Sequence, residues 1–219
     1  MIPTMASYPP GSVLDCVPMF PLPGVVLFPK TLLPLHVFEP RYRAMTEDAL
    51  KGTREIVMGC ITGGSAGEAG SMPAVFAIAG LGEIIQCERM ADGRFNIVLV
   101  GRARVRIHEL PFVTPYRRVR AEVLRETDTP ASECDVAALV SSATRLCASM
   151  RRVDPAHELR LPSDDPGALA DACAHQLVID ADERQRLLET LDTRERLRSV
   201  TEILAVQHAL LEAKQGAAN

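Results

Sequence analysis

Phe38-Glu39-Pro40-Arg41-Tyr42 sets an aromatic ring, a carboxylate, a rigid turn, a guanidinium and a phenol within five consecutive residues. Such a group can hold a ligand by ring contact, ion pairing and hydrogen bonding together, so Phe38, Glu39, Arg41 and Tyr42 are candidate binding residues. The same residues also have a structural reading, in which Phe38 and Tyr42 close a core and Glu39 pairs with Arg41 across the turn. A second group is cationic. Arg102, Arg104 and Arg106 alternate along one extended run, with Arg117, Arg118 and Arg120 on the next. One exposed row of this kind could contact phosphates. The competing reading is a solvated strand face paired with Glu109 and Glu122, and Tyr116 is the one aromatic nearby.

Other chemistry lacks its residues. A triphosphate loop needs G-x-x-x-x-G-K-[ST], whose backbone amides and lysine neutralise the phosphates. Gly63 to Gly70 is glycine-rich, but no lysine follows and Glu68 would repel an anion. Ser65 has no base beside it, and the three lysines, at 30, 51 and 214, offer no evident Ser–Lys pair. The five histidines, at 36, 108, 157, 175 and 208, form no H-E-x-x-H. Cys173 and His175 are two apart and cannot share a helical face. We therefore expect no enzyme, no metal and no cofactor.

The elements that must carry these residues change character along the chain. From Val17 to Phe38 prolines punctuate apolar stretches, predicting short extended pieces at sheet edges and corners. Pro40 suits the first turn of a short helix whose apolar side is Tyr42, Met45, Ala49 and Leu50. Strands follow: Glu55 to Ile61, then Ala74 to Met90 with a kink at Gly80 or Gly82. Asp92-Gly93 predicts a type I′ hairpin turn. Arg94 to Val100 returns, Gly101 breaks it, Arg102 to Leu110 alternates, and Tyr116 to Arg125 completes the set. A flexible glycine-rich loop is expected over Thr62 to Pro73. Past Thr127 to Pro130 the pattern is helical: Ala137 to Met150, Asp164 to about Leu177, and two further helices opened by Asp180-x-x-Glu183 and Asp192-x-x-Glu195. The last should bury Leu197, Val200, Ile203, Leu204, Leu210 and Leu211 on one broad face. The expected fold is α+β: a mostly antiparallel β-barrel over residues 13–126 and a helical bundle over 127–219, after a disordered leader of residues 1–12.

With 47% hydrophobic and 24% charged residues the composition is that of an ordinary globular protein. No apolar run reaches the ~20 residues of a membrane helix, so no membrane partner is expected. The net charge of −4 divides as +2 over residues 1–126 and −6 beyond, which does not announce nucleic acid. Six cysteines are scattered without a C-x-x-C pair and mostly lie in apolar surroundings. With no export signal, they predict reduced, buried thiols in the cytoplasm.

The run Met19 to Pro29, the run Leu33 to Tyr42, the hairpin from Gly82 to Gly93, Gly101 to Val105 and the helical Leu187 to Leu197 together resemble the Lon protease N-terminal, substrate-binding domain. The likeness spans roughly Val13 to Lys214. It implies a PUA-like barrel joined to a helical bundle and a protein or unfolded, apolar peptide as partner. The ATPase and Ser–Lys peptidase motifs of the full protease do not occur in these 219 residues. The resemblance is to free-standing forms, and the expected function is a non-catalytic binding module, an adaptor linked to proteolysis or quality control. RNA binding through the arginine-bearing strand is the alternative.

Overall fold

A computed structural model describes residues 8–62, 72–113, 115–127, 129–151, 159, 161–162 and 165–217. The chain forms two compact units, Met1–Arg125 and Glu126–Asn219.

In the first unit the chain order is β1 (Val13–Pro23), β2 (Leu32–Val37), α1 (Pro40–Lys51), β3 (Glu55–Ile61), β4 (Ile78–Arg89), β5 (Phe95–Glu109) and β6 (Arg118–Val123). The sheet order is β2-β5-β4-β3-β1-β6, and β6 also pairs with β5, closing a barrel of five strands with β2 alongside. Every pairing is antiparallel except β1 with β3.

β1 corrects the expectation for the proline-rich stretch. It is an 11-residue strand inside the barrel despite Pro18, Pro21 and Pro23. Val13 to Pro18 pair with β6, whereas Met19 to Pro23 pair with β3. Each half thus carries one ladder, so a ring without an N–H can face the unladdered side at no cost in pairing.

Gly101 does not break β5, which runs through it from Phe95 to Glu109. A Cβ at Gly101 would stand 1.9 Å from the Phe28 carbonyl oxygen, and one at Gly80 would stand 2.1 Å from that of Leu27. These two glycines let the segment between β1 and β2 cross directly over the sheet. The shift in register between Leu81 and Gly82 leaves the extra residue, Arg102, on β5, whereas β4 carries its own extra residue at Ile85, between Ile84 and Gln86. The hairpin turn differs from type I′, which needs positive φ at both central residues. Here Gly93 has φ 80° while Asp92 does not, and Gly93 N–H donates to Met90 O at 2.9 Å. The loop is Ala91-Asp92-Gly93, three residues long.

Pro40 opens α1, which buries Tyr42, Met45, Thr46 and Ala49. Tyr42, Met45 and Ala49 join Phe20, Leu27, Ile56, Phe95, Leu99 and Tyr116 in one core cluster; Val17, Met19, Leu81, Val105, Val119 and Ala121 belong to a second. Of the expected leader, residues 1–7 lie outside the described residues. Tyr8 donates to Glu55 Oε1 at 2.8 Å, and Gly11 N–H to Val123 O at 2.8 Å.

The second unit holds α2 (Glu133–Arg151), α3 (Pro166–Leu177), α4 (Ala181–Glu189) and α5 (Thr193–Ala217). The helix α2 starts four residues before the expected Ala137. Asp165 caps α3 by accepting from Gly167 and Ala168 N–H. The Asp half of each sequence cap forms, Asp180 accepting from Glu183 N–H and Asp192 from Glu195 N–H, at 2.9 and 2.8 Å, while the Glu183 side chain pairs with Arg186. Leu197, Val200 and Leu204 are buried, but Leu210 is exposed, so the apolar face of α5 is covered only in its first half. Arg196 is fully buried, with Nε 3.0 Å from Asp171 Oδ1, Nη2 donating to Glu126 at 2.6 Å and Nη1 donating to Thr190 O at 2.6 Å.

Candidate functional site

Three of the four residues of the Phe38 to Tyr42 group meet in one cleft. It has a volume of about 210 Å³ and is lined by Glu39, Arg41 and Tyr42 together with Pro21 to Pro23, Ile61, Met72, Pro73, Phe112 and Pro115 to Arg117. Tyr42 is buried, its ring centroid 4.3 Å from that of Phe20, and burial raises its phenol above the usual range. Arg41 lies over the Tyr42 ring at 4.5 Å and donates to Glu39 Oε2 at 2.9 Å. The Glu39–Arg41 pair anticipated across the turn is therefore present at the cleft mouth. Phe38 departs from the group. It is 60% exposed and stacks on His36, at 6.2 Å between centroids, away from the cleft lining.

The remaining lining was not legible as a site. Pro21 to Pro23 come from the end of β1, Met72 and Pro73 from the segment before β4, and Phe112 to Arg117 from the β5–β6 connection. Met72 and Phe112 stand 45% and 49% exposed at its rim, and large apolar side chains left in water at a concave surface mark a contact site. The available signal was Phe112-Val113, two bulky apolar residues between turn-forming prolines. Tyr116, noted only as an aromatic near arginines, donates to Asp48 Oδ2 at 2.8 Å and is packed under Arg118. Burial, ahead of the Asp48 bond, raises its phenol.

The arginine row does not assemble. Arg104 is 1% exposed and faces the Phe28 ring, Arg102 is pinned to Glu83 at 2.8 Å with its side chain buried, and only Arg106 is exposed. Arg104 pairs with Gly80, over which the Leu27 backbone passes, so this side of the strand is covered where it was expected to meet solvent. On the next strand Arg117 is buried against Glu109, while Arg118 contacts Tyr116 and Arg120 contacts Asp15 at 3.4 Å. Arg102, Arg104, Arg117, Arg118 and Arg120 thus each have a local contact within the protein, and Arg106 alone of the six stands in solvent without one among the described residues.

His36 and Glu39 do not approach a metal geometry. His36 Nδ1 lies 2.7 Å from Asn96 Oδ1, and among the described residues no three His, Cys, Asp or Glu stand close enough to hold a metal ion. The glycine-rich segment from residue 63 to 71, with Ser65, lies outside the described residues. One serine does meet a histidine and an acid. Ser149 Oγ on α2 donates to Glu212 Oε1 at 2.6 Å and lies 3.1 Å from His208 Nε2, both on α5. A Ser–His–acid relay needs the acid on the other ring nitrogen and an accessible hydroxyl. Here Glu212 binds the serine itself, and Ser149 is buried. The trio pins two helices. Cys60, Cys147 and Cys173 are buried as expected, the last with its thiol pushed up to about 12 by burial, whereas Cys16 and Cys134 are exposed. Among the described residues no helix is long and apolar enough to cross a membrane.

A barrel closed by β5–β6 and a separate four-helix unit make this an α+β protein of the kind seen in solved Lon N-terminal domains. The N-terminal domain of a Mycobacterium avium complex Lon protease matches with a TM-score of 0.62 at 22% identity, covering 87% of this chain and 98% of that one. A Lon N-terminal domain protein from Xanthomonas campestris matches with a TM-score of 0.61 at 21% identity, over 85% and 97%. Residues 16–206 match the ATP-dependent protease La (LON) substrate-binding domain, and the chain belongs to that family. Lon protease 2 of Bdellovibrio bacteriovorus is 30% identical over 206 residues, and the Lon protease of Syntrophomonas wolfei 28% over 202. These matches take in 90% and 91% of this chain but 25% of each relative, so the chain spans a quarter of their length. The matched family model is the substrate-binding domain and not the peptidase.

Proposed function

We propose that the barrel unit is a non-catalytic recognition module that binds unfolded or apolar polypeptide segments by taking a large apolar side chain into the Tyr42–Phe112 cleft. The carrying observation is the pairing of an apolar floor with two exposed apolar lips, Met72 and Phe112, at a mouth that also bears the Glu39–Arg41 pair. Burying such a side chain is worth about 1.5–3 kcal/mol, enough for a weak anchor that many sequences can use. Family membership supports the class of ligand, and the relatives are proteases, which favours an adaptor role in proteolysis or quality control within the cytoplasm.

The test is fluorescence anisotropy of a labelled, reduced and carboxymethylated lactalbumin titrated with the full chain. Met72→Asp and Phe112→Asp, which place charges on the lips, should each weaken binding by about tenfold or more, the scale of a lost interface anchor. Unchanged affinity in both, with the fold intact by circular dichroism, rejects the cleft as the binding site.

A further inference from the structure

We infer that Arg117 is a positioning residue for this cleft: it ties its two lips together and so sets the size of side chain the cleft admits. The inference rests on the cleft being the binding site. Arg117 is 8% exposed and stands where three segments meet. Its Nε donates to Glu109 Oε2 at 3.0 Å and its Nη2 donates to Glu109 Oε1, at the end of β5. Its Nη1 donates to Pro73 O at 2.8 Å, the residue after Met72. Its own carbonyl accepts from Met19 N–H at 2.9 Å, which fixes its backbone relative to β1.

The consequence is mechanical. Phe112 belongs to the connection that leaves β5 at Glu109, and Met72 is chained to Pro73, so one planar cation spans the bases of both lips. Below the lips the two sides also meet, Ile107 N–H of β5 donating to Ala77 O at 2.9 Å, and each side has bonds of its own. Thr62 N–H donates to Ala74 O and Phe76 N–H to Cys60 O, and Leu110 N–H donates to Arg118 O. Those bonds keep the strands in place without Arg117. A lysine cannot replace it, because a point charge on a flexible stem cannot satisfy a carboxylate and a carbonyl in fixed directions at once.

The experiment compares wild type, Arg117→Met, Arg117→Lys and, as a control for general destabilisation, the core substitution Val123→Ala. Each is combined with Met72→Ala, and affinity for the labelled carboxymethylated lactalbumin is read alongside hydrogen exchange. Arg117→Met and Arg117→Lys should both lose about tenfold in affinity and speed exchange in residues 72–76 and 110–113 together, as expected when a site is left about an ångström loose. Met72→Ala should cost affinity in wild type and in Val123→Ala, yet add little once Arg117 is gone. Full rescue by lysine, or additive losses with Met72→Ala, overturns the positioning role. If wild type binds no unfolded polypeptide, the functional reading of the cleft fails instead. Exchange that rises in only one lip segment in the Arg117 variants then rejects the tie on its own.

Discussion

At the scale of single residues, the alternation of Arg102, Arg104 and Arg106 was legible, but the direction of its faces was not. Alternation tells which residues share a side and leaves open whether that side meets water. The Leu27 backbone passes over Gly80, the partner of Arg104 on the neighbouring strand, and covers that face, which depends on a register no local pattern states. Replacing Arg104 with Ala should therefore destabilise the fold by about 3 kcal/mol in a denaturant titration, whereas Arg106→Ala should change it by less than about 0.5 kcal/mol. Equal, small effects would mean that Arg104 is not held inside. Gly101 teaches the same lesson from the other direction. Read alone it looks like a strand break, yet it is where the Phe28 carbonyl crosses β5. Gly101→Ala should cost toward the upper end of roughly 1–3 kcal/mol, because the group in the way is backbone. Gly82→Ala meets the movable end of Leu27 at 2.7 Å and should cost less.

Elements were more readable than their packing. Pro40, Asp180 and Asp192 marked helix starts correctly because capping is local chemistry, satisfied within three or four residues. Asp180→Ala should lower stability by about 1 kcal/mol. The turn at Asp92-Gly93 was located but mistyped, since two- and three-residue hairpins share the same dipeptide and differ only in strand register. Asp135 links elements through charge. Ser132, bonding it by side chain and backbone, and then Arg198 and Arg194 hold its carboxyl well below the ordinary carboxylate range. A depressed folded pKa gives stability that is complete above the unfolded value, about 4, and is lost as the pH falls below it. Thermal midpoints of wild type and Asp135→Asn should thus differ at pH 7 and converge progressively below pH ~4. A constant gap down to pH ~2 would show that the carboxylate charge is not what these partners hold. The buried Arg196 is a larger commitment. Arg196→Met removes the cation from the fully enclosed Asp171 and should cost about 3–5 kcal/mol.

At the scale of the molecule, the α+β class and the family were readable from the proline-rich block and the run through Tyr42, because those motifs are contiguous. The cleft was only partly readable. Glu39, Arg41 and Tyr42 were singled out together since they adjoin in sequence, but Met72, Phe112 and Arg117 reach them from segments 30 to 75 residues away. What brings these segments together is barrel closure, with β6 returning to β5 and pairing with the first half of β1. We propose that this assembled cleft, and not a charged strand face, engages the partner. The most direct measurement is the titration of labelled, carboxymethylated lactalbumin with wild type, Phe112→Asp and Arg106→Ala across a salt series. Binding that Phe112→Asp reduces about tenfold, that Arg106→Ala leaves unchanged and that persists as salt rises is the predicted result. Binding that survives Phe112→Asp but collapses with salt and with Arg106→Ala would contradict it.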